Sequence, residues 1–534
     1  VEEFEEQVEK AKIGQIVSLV KTIEEPLDAT EFFAKLSNYG KKKYSLLFES
    51  ADIVPKYGEQ SIGSASPCLK VSGRGAEFEI TALNDTGLQY IKTIKKDLKF
   101  VDKLVHKKNI LYGILQPQRK NTNEDDRIKA KTHFDILRTI AFKFKSADAP
   151  DNVHGGLFGA FGYDMIDQFE DLPKNEQNTL DTPDYELYYL DNLFVTDHKK
   201  GVTKIIVNAL ITEGNRKTLI QQAKKTMGEY EKTLEKKLVT PKKTKSKDSE
   251  IETDTTASEY EDIVSEIKNK IFRGDIFQAV PSRTLIQNTT AEPLLIYEKL
   301  KSINPSPYMF YIHQEDGILL GASPEMALRV QGNEQKIVEI RPIAGTKPRG
   351  LTPENAIDPD LDAKYEVELK TDKKEIAEHT MLIDLARNDI ARVSEPGTRF
   401  CNEPFVIEKY SHVQHLVSNV QGTLKEGLDA LHAYLATMNM GTLTGAPKVE
   451  AMKLIRTHEK ESRGFYGGAV GYITPEGNMD TTITIRSMYL RANKAYIRAG
   501  AGIVHDSIPE QEFQETEKKA QACLKALEMA EAAK

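Results

Sequence analysis

Short segments of alternating apolar and polar residues crowd the second half of the chain, at 283–286, 308–312, 317–323, 326–331, 336–343, 469–473, 481–490 and 494–499. Several are separated by only a few residues, Gly332-Asn333 being one such link. A parallel connection needs a crossover of about a dozen residues or more, so neighbours this close must pair as antiparallel hairpins. The first half adds similar segments at 44–49, 77–82, 185–195 and 203–210, with a helical stretch at 132–145. Neither half alternates strand and helix regularly, which argues against a doubly wound or barrel α/β fold. The pattern predicts an α+β fold of layered antiparallel β-sheets with helices packed outside.

The clearest seam lies at 236–258, where six lysines between Lys236 and Lys247 give way to an acidic, Ser/Thr-rich run. Blocks of like charge without apolar periodicity cannot bury enough surface to offset the entropy of ordering, so this stretch reads as an exposed connector. A helix leads into it, with Leu219, Ala223, Met227, Tyr230, Leu234 and Leu238 at steps of three and four. Another leads out, opened by a capping box at Ser258 and Glu261, with Tyr260, Ile263, Val264, Ile267 and Ile271 on one face. The expected organisation is therefore an N-terminal region at 1–235, a linker at 236–258 and a second region at 259–534.

Composition removes several functions. Eighty-one acids against 73 bases leave a net charge of −8, which gives no electrostatic footprint for a nucleic acid. The three cysteines, Cys68, Cys401 and Cys523, stand far apart and fit neither a disulfide framework nor a zinc site. No apolar run reaches the length of a membrane span. The acidic start of the chain does not read as a signal peptide. A cytoplasmic protein is expected.

Chemistry-bearing residues concentrate after the seam. Glu375 and Glu378 are three apart inside a helical pattern at 364–387, and Glu512 and Glu515 repeat that spacing after Pro509, with Lys519 one turn on. Residues three apart share a helix face. Two such pairs either converge on a hard cation such as Mg²⁺ or form solvated surfaces. The segment Gly441-Thr-Leu-Thr-Gly-Ala-Pro-Lys448 has the wrong spacing for a nucleotide phosphate loop. Ala499-Gly-Ala-Gly502 lacks the third glycine of a dinucleotide fingerprint. Each reads as a turn, or as a nest of N–H groups for a smaller anion such as a carboxylate. Arg486, placed by alternation on a strand face with Thr482 and Thr484, suits either bidentate carboxylate recognition or a structural ion pair. His415 reads as a core histidine or a proton acceptor. Glu325, at a turn between strands, would act as an acid if buried, because burial raises a carboxyl pKa.

Taken together, these motifs carry a resemblance. Its segments are Ile276-Phe-Gln-Ala-Val-Pro-Ser-Arg283, Asn304-Pro-Ser-Pro-Tyr-Met309, Gly321-Ala-Ser-Pro-Glu325, Arg341-Pro-Ile-Ala-Gly-Thr346 and 378–389. They continue through 441–448, Gly467-Gly-Ala-Val-Gly-Tyr472 and 499–502, with Glu49-Ser-Ala-Asp52 in the first half. In this order they resemble the chorismate-utilising enzymes, most closely the anthranilate synthase large-subunit (component I) family. The resemblance implies that family's fold, with the N-terminal region regulatory and packed on a chorismate-binding catalytic region. It also implies conversion of chorismate and ammonia to anthranilate and pyruvate, the first step of tryptophan biosynthesis.

Role by role, the resemblance implies Mg²⁺ held by Glu375, Glu378, Glu512 and Glu515. Glu325 would protonate the departing 4-hydroxyl, and His415 would serve the loss of pyruvate, with Thr346 and Gln278 beside the reacting atoms. Thr442, Tyr466, Arg486, Ala499, Gly500, Ala501, Gly502 and Lys519 would bind the substrate. Glu49, Ser50, Asn304, Pro305, Pro307, Tyr308, Met309, Val470 and Tyr472 would form a tryptophan-binding regulatory site. Gln278 stands where isochorismate and salicylate synthases carry a lysine base for water, and Ala344 where aminodeoxychorismate synthases carry a lysine nucleophile. Both departures favour anthranilate; the alternatives are an isochorismate or salicylate synthase, an aminodeoxyisochorismate synthase that stops before pyruvate loss, and a catalytically silent tryptophan-sensing homologue. The chain shows no amidotransferase nucleophile motif, so a separate glutamine amidotransferase subunit is implied as partner, and a hetero-oligomer with it. The sequence contains no tryptophan, which suits an enzyme needed when that amino acid is scarce.

Overall fold

The computed structural model describes residues 2–51, 59–117, 124–147, 153–214, 216–240 and 250–532. Asp52 and residues 241–249 of the expected linker lie outside them. The remainder of that stretch includes the strand Glu252–Thr253, which pairs with Ser282–Asn288, and the N-cap of the helix Ala257–Phe272.

Among the described residues, two large sheets form the body. One runs in the order 252–253, 282–288, 494–500, 487–491, 318–323, 308–313, 46–49, 60–64, 192–197, 202–210, 15–23 and 145–146. The other runs 343–348, 413–423, 337–340, 326–331, 479–483, 469–473, 156–161, 185–190, 69–74, 77–82, 110–114 and 103–107, with 400–409 added beside 413–423. Every pairing within these two sheets is antiparallel except that of Gln15–Ile23 with Lys145–Ser146. Both sheets continue from strands of the first half into strands of the second. They meet face to face over a core that takes Leu46, Ile62, Leu193, Phe310 and Leu319 from one and Phe158, Tyr188, Leu190 and Val470 from the other. Helices cover both outer faces, among them Ala29–Leu36, Pro293–Ile303 and Pro509–Ala532 on the first sheet and Asp85–Ile94 and His133–Ala141 on the second. The expected α+β arrangement of layered antiparallel sheets is the one observed.

Four local expectations are corrected. The run 185–195 is two strands, Tyr185–Leu190 and Asn192–Asp197, which belong to different sheets. Asp191 is the pivot: its carbonyl accepts the Asn208 N–H at 2.7 Å and its carboxylate the Asn192 amide at 3.0 Å. The switch falls at the polar pair Asp191-Asn192, which stays buried with the strands on either side. The run 481–490 likewise splits into Met479–Ile483 and Ser487–Arg491. The helical pattern 364–387 is two helices, Pro359–Thr371 and Lys373–Ala391. Asp372 ends the first by donating its N–H to Glu368 and caps the second by accepting from Lys374 and Glu375. The capping box before the linker-following helix is formed by Thr256 and Glu259, two residues earlier than expected. Glu259 also meets Lys460 at 2.7 Å, a tertiary contact that favours this register.

A buried ion cluster ties the second region together. Glu459 accepts from Arg463 and Arg498, each at 2.7 Å, and from the Ser282 amide and hydroxyl at 2.8 Å. The Arg463 guanidinium also lies over the Tyr163 and Tyr466 rings. Breaking such a pair leaves desolvated charge unmatched. Glu459→Gln is therefore expected to lower stability by about 3–5 kcal/mol, read as a shift of the urea unfolding midpoint.

Candidate active site

Two side chains of opposite role sit where the chain crosses between the sheets. Glu325 lies between the strand Ile318–Ser323 of the first sheet and Met326–Gln331 of the second. Arg486 lies between Met479–Ile483 of the second and Ser487–Arg491 of the first, with φ +50. It is not on a strand face as alternation suggested: the left-handed backbone ends the ladder there. The crossings bond to each other, Ala322 N–H donating to the Arg486 carbonyl at 3.0 Å and Ile483 N–H to the Glu325 carbonyl at 3.0 Å.

The Glu325 carboxyl is buried, and burial pushes its pKa up to about 8, against the opposing pull of Thr442, the Ile343 backbone, Arg486 and Lys519. It is a protonated acid at neutral pH. Thr442, on the turn of helix Gly441–Thr444, lines the same small cavity as Glu325. His415, on Val413–Thr423, is also buried, and burial, then Arg486, lowers its pKa to about 4, so the imidazole is neutral. Its Nδ1 is 2.9 Å from the Thr346 hydroxyl. The strand Ile343–Pro348 bulges between Ala344 and Thr346 against its partner. At the bulge Gly345 has φ +67, and a Cβ there would stand 2.9 Å from Glu375 Oε2. Only glycine fits this conformation and this approach, a role that the sequence reading did not give Gly345, although it lies in the quoted Ala344–Thr346 motif.

Glu375 and Glu378 come from the first two turns of Lys373–Ala391, Glu512 and Glu515 from Pro509–Ala532. Burial raises Glu378 to about 7, and Glu375, Glu512 and Glu515 all push it further in that direction, so the two pairs face one another. Glu375 and Glu512 are raised by burial as well. Burial also opposes ionisation of Glu515, but Lys519 outweighs it and holds that carboxyl low, at 2.6 Å. Glu378 Oε1 is buried with no hydrogen-bond donor, and the nearest cation, Lys374, is 3.8 Å away. Among the described residues no three His, Cys, Asp or Glu side chains close into a metal cage. Carboxylate oxygens with an orphaned buried member are the donor set of a hard divalent cation that keeps some of its waters.

The glycine segments bring the rest together. Gln278 is buried on a short strand pair with Gly445–Ala446, and its Nε2 would be 2.7 Å from a Cβ at Gly502. A Cβ at Gly500 would stand 3.2 Å from the Tyr466 hydroxyl. The Gly500 carbonyl accepts from Lys519 at 2.9 Å. The Ala499 side chain is packed in the core, and the Ala501 N–H donates to the Pro281 carbonyl and the Tyr260 hydroxyl. Lys448 is structural, bound to Asp389 at 2.7 Å and to the Thr437 carbonyl at 3.0 Å.

A second cavity, of about 860 Å³, lies between the sheets and is lined by Glu49, Pro307, Tyr308, Met309, Val470 and Tyr472. Of its lining residues, Phe48 and Tyr472 each stack on the core ring of Phe158. Ser50, Asn304 and Pro305 are not among its lining residues. Asp480, Arg329 and Thr482 are, and the sequence reading missed them; the alternation along 479–483 was the available signal.

The chain matches the family of chorismate binding enzymes over residues 104–525. It belongs to that family. Anthranilate synthase component 1 of Buchnera aphidicola subsp. Schizaphis graminum is 42% identical over 91% of this chain and 93% of its own length. The crystal structure of anthranilate synthase component I from Streptococcus pneumoniae superposes with a TM-score of 0.69 at 29% identity, covering 88% of this chain and 93% of that one. The menaquinone-specific isochorismate synthase of Escherichia coli gives 0.63 at 16% identity over 98% of both, a likeness of fold alone. The matched family thus reaches well into the first half, consistent with sheets that run through both.

Burial of Glu325 has a measurable consequence. Its folded pKa of about 8 exceeds the ordinary 4.5, so its stability contribution is intact below pH 4.5 and is lost as pH rises toward 8. Glu325→Gln is expected to equal the parent near pH 4.5 and to gain stability over it up to about pH 8. Thermal unfolding across that range measures the difference, and a constant difference would contradict a buried acid.

Proposed function

We propose that this enzyme is a lyase that converts chorismate and ammonia to anthranilate and pyruvate. The observation that carries the reading is a neutral-pH acid, Glu325, and a neutral imidazole, His415, both under the influence of one guanidinium, Arg486. Ammonia forms its bond to C2 as the C4–O bond breaks, and the 4-hydroxyl leaves as water with the Glu325 proton. In the second step His415 takes the C2 proton, the ether bond at C3 breaks, and the enolpyruvyl group departs as pyruvate after gaining a proton. The ring becomes aromatic, which drives the step forward.

Substrate binding follows from charge. Chorismate is a dianion, and Arg486, Lys519 and Tyr466 supply complementary donors, with Thr442 and the Gly500–Gly502 backbone around the ring. Glu375, Glu378, Glu512 and Glu515 would hold Mg²⁺, which supplies positive charge for the ring carboxylate where four carboxylates alone would repel it. Gln278 favours ammonia over water: its amide is no base, and ammonia needs none. Ammonia would come from glutamine through a separate amidotransferase subunit. The cavity at Glu49, Tyr308, Met309, Val470 and Tyr472 would take tryptophan as a feedback inhibitor, its indole against the aromatic wall.

Chorismate, Mg²⁺ and an ammonium salt are expected to give fluorescent anthranilate and equimolar pyruvate; salicylate or isochorismate as product would refute the assignment of Gln278. Glu325→Gln is expected to lower turnover by about 10²–10⁴-fold. Glu515→Gln is expected to raise the Mg²⁺ concentration required for half-maximal rate. Tryptophan added to the same assay is expected to inhibit, and indifference to it would remove the regulatory role.

A further inference from the structure

The catalytic acid and the large cavity are separated by a single strand, Met479–Ile483. Met479, Asp480 and Thr482 line the cavity, whereas Ile483 lines the small pocket that holds Glu325. Thr482 is buried at 2% exposure, yet its hydroxyl is not idle. Its Oγ1 donates to the Glu325 carbonyl at 2.7 Å, beside the Ile483 N–H on the same oxygen at 3.0 Å. Both lone pairs of that carbonyl are thus used by two consecutive residues of the dividing strand. The ladder between the strands shifts register just beyond Met326, the partner of Thr482. The Ile483 bond is the last regular bond of this ladder before the strand leaves the sheet, and the Thr482 hydroxyl adds a side-chain bond to the same carbonyl. On the cavity side, Asp480 accepts the Tyr308 hydroxyl at 3.0 Å, so the wall that holds Thr482 is bonded to the far side of the cavity.

We propose that Thr482 is a positioning residue that aims Glu325 at the substrate and transmits the filling of the large cavity to it. The hydroxyl fixes the peptide plane that follows Glu325, and with it the direction of the carboxyl-bearing side chain. An occupant that displaces Thr482 by a fraction of a hydrogen bond breaks the alignment without touching the active site. Misplacement of a reacting group on this scale costs rate rather than affinity. The transmitting half of the proposal rests on the reading of the cavity as a tryptophan site; the positioning half does not.

The test is a pair of substitutions in the full chain, Thr482→Val and Thr482→Ser, each checked for wild-type thermal unfolding. Valine keeps the branched shape and removes the donor; serine restores the donor. Thr482→Val is expected to lower kcat by about ten- to a hundredfold with the KM for chorismate unchanged, to move the alkaline limb of the pH–kcat profile, and Thr482→Ser to recover both. Tryptophan binding by calorimetry is expected to be retained in Thr482→Val while its effect on the residual kcat is lost. Wild-type kcat and pH profile in Thr482→Val would overturn the positioning role. A normal degree of tryptophan inhibition in that variant would overturn transmission through Thr482. If the wild-type protein binds no tryptophan, the regulatory reading fails by itself, and transmission with it, while kcat in the two variants still decides the positioning role.

Discussion

Two backbone hydrogen bonds, Ile483 N–H to the Glu325 carbonyl and Ala322 N–H to the Arg486 carbonyl, hold together the places where neighbouring strands leave one sheet for the other. A chain that changes sheets must interrupt its ladder, and interrupted ladders leave backbone groups that need partners. Pairing one crossing with another meets that need from both sides. It also puts an acid and a guanidinium at neighbouring points in the interior, anchored through their main-chain carbonyls. The neutral imidazole, the Gly345 bulge and the carboxylate pairs are arranged around this junction.

Electrostatics then separates roles among similar groups. Glu325 and Glu459 are both buried glutamates, but one is raised by burial and the other is held low because Arg463 and Arg498 outweigh its burial. The first can give a proton; the second stays ionised and carries structure. The same contrast divides the carboxylate pairs, where Lys519 keeps Glu515 ionised beside a raised Glu378. Residue type says little here, and the partner within reach decides.

Alternation alone located many strands with the bounds observed, as at Glu77–Ala82, Met326–Gln331 and Ala469–Ile473. It failed at Asp191 and Arg486, because one or two polar residues within a buried run fit the alternation of a single strand as well as a change of sheet. The helix at 364–387 was read through Asp372 because one residue serving two caps leaves the apolar period almost undisturbed. In the site, the three-residue spacing of the glutamates and the glycine segments was visible locally, and the resemblance supplied their roles. What the chain could not display is contact between distant residues: Gly345 against Glu375, Thr482 on the Glu325 carbonyl, and the Ala501 N–H already spent on Pro281 and Tyr260.

The helix Pro509–Ala532 packs against Pro293–Ile303, Ala257–Phe272 and the strand Lys494–Gly500, and it brings Glu512, Glu515 and Lys519 to carboxylates set down over a hundred residues earlier. Half of the carboxylate cluster therefore has no counterpart until the ribosome has passed that helix. A nascent chain can bury much of its sheet core and still lack half of this cluster, so the order of synthesis delays its assembly until the helix Pro509–Ala532 has been made.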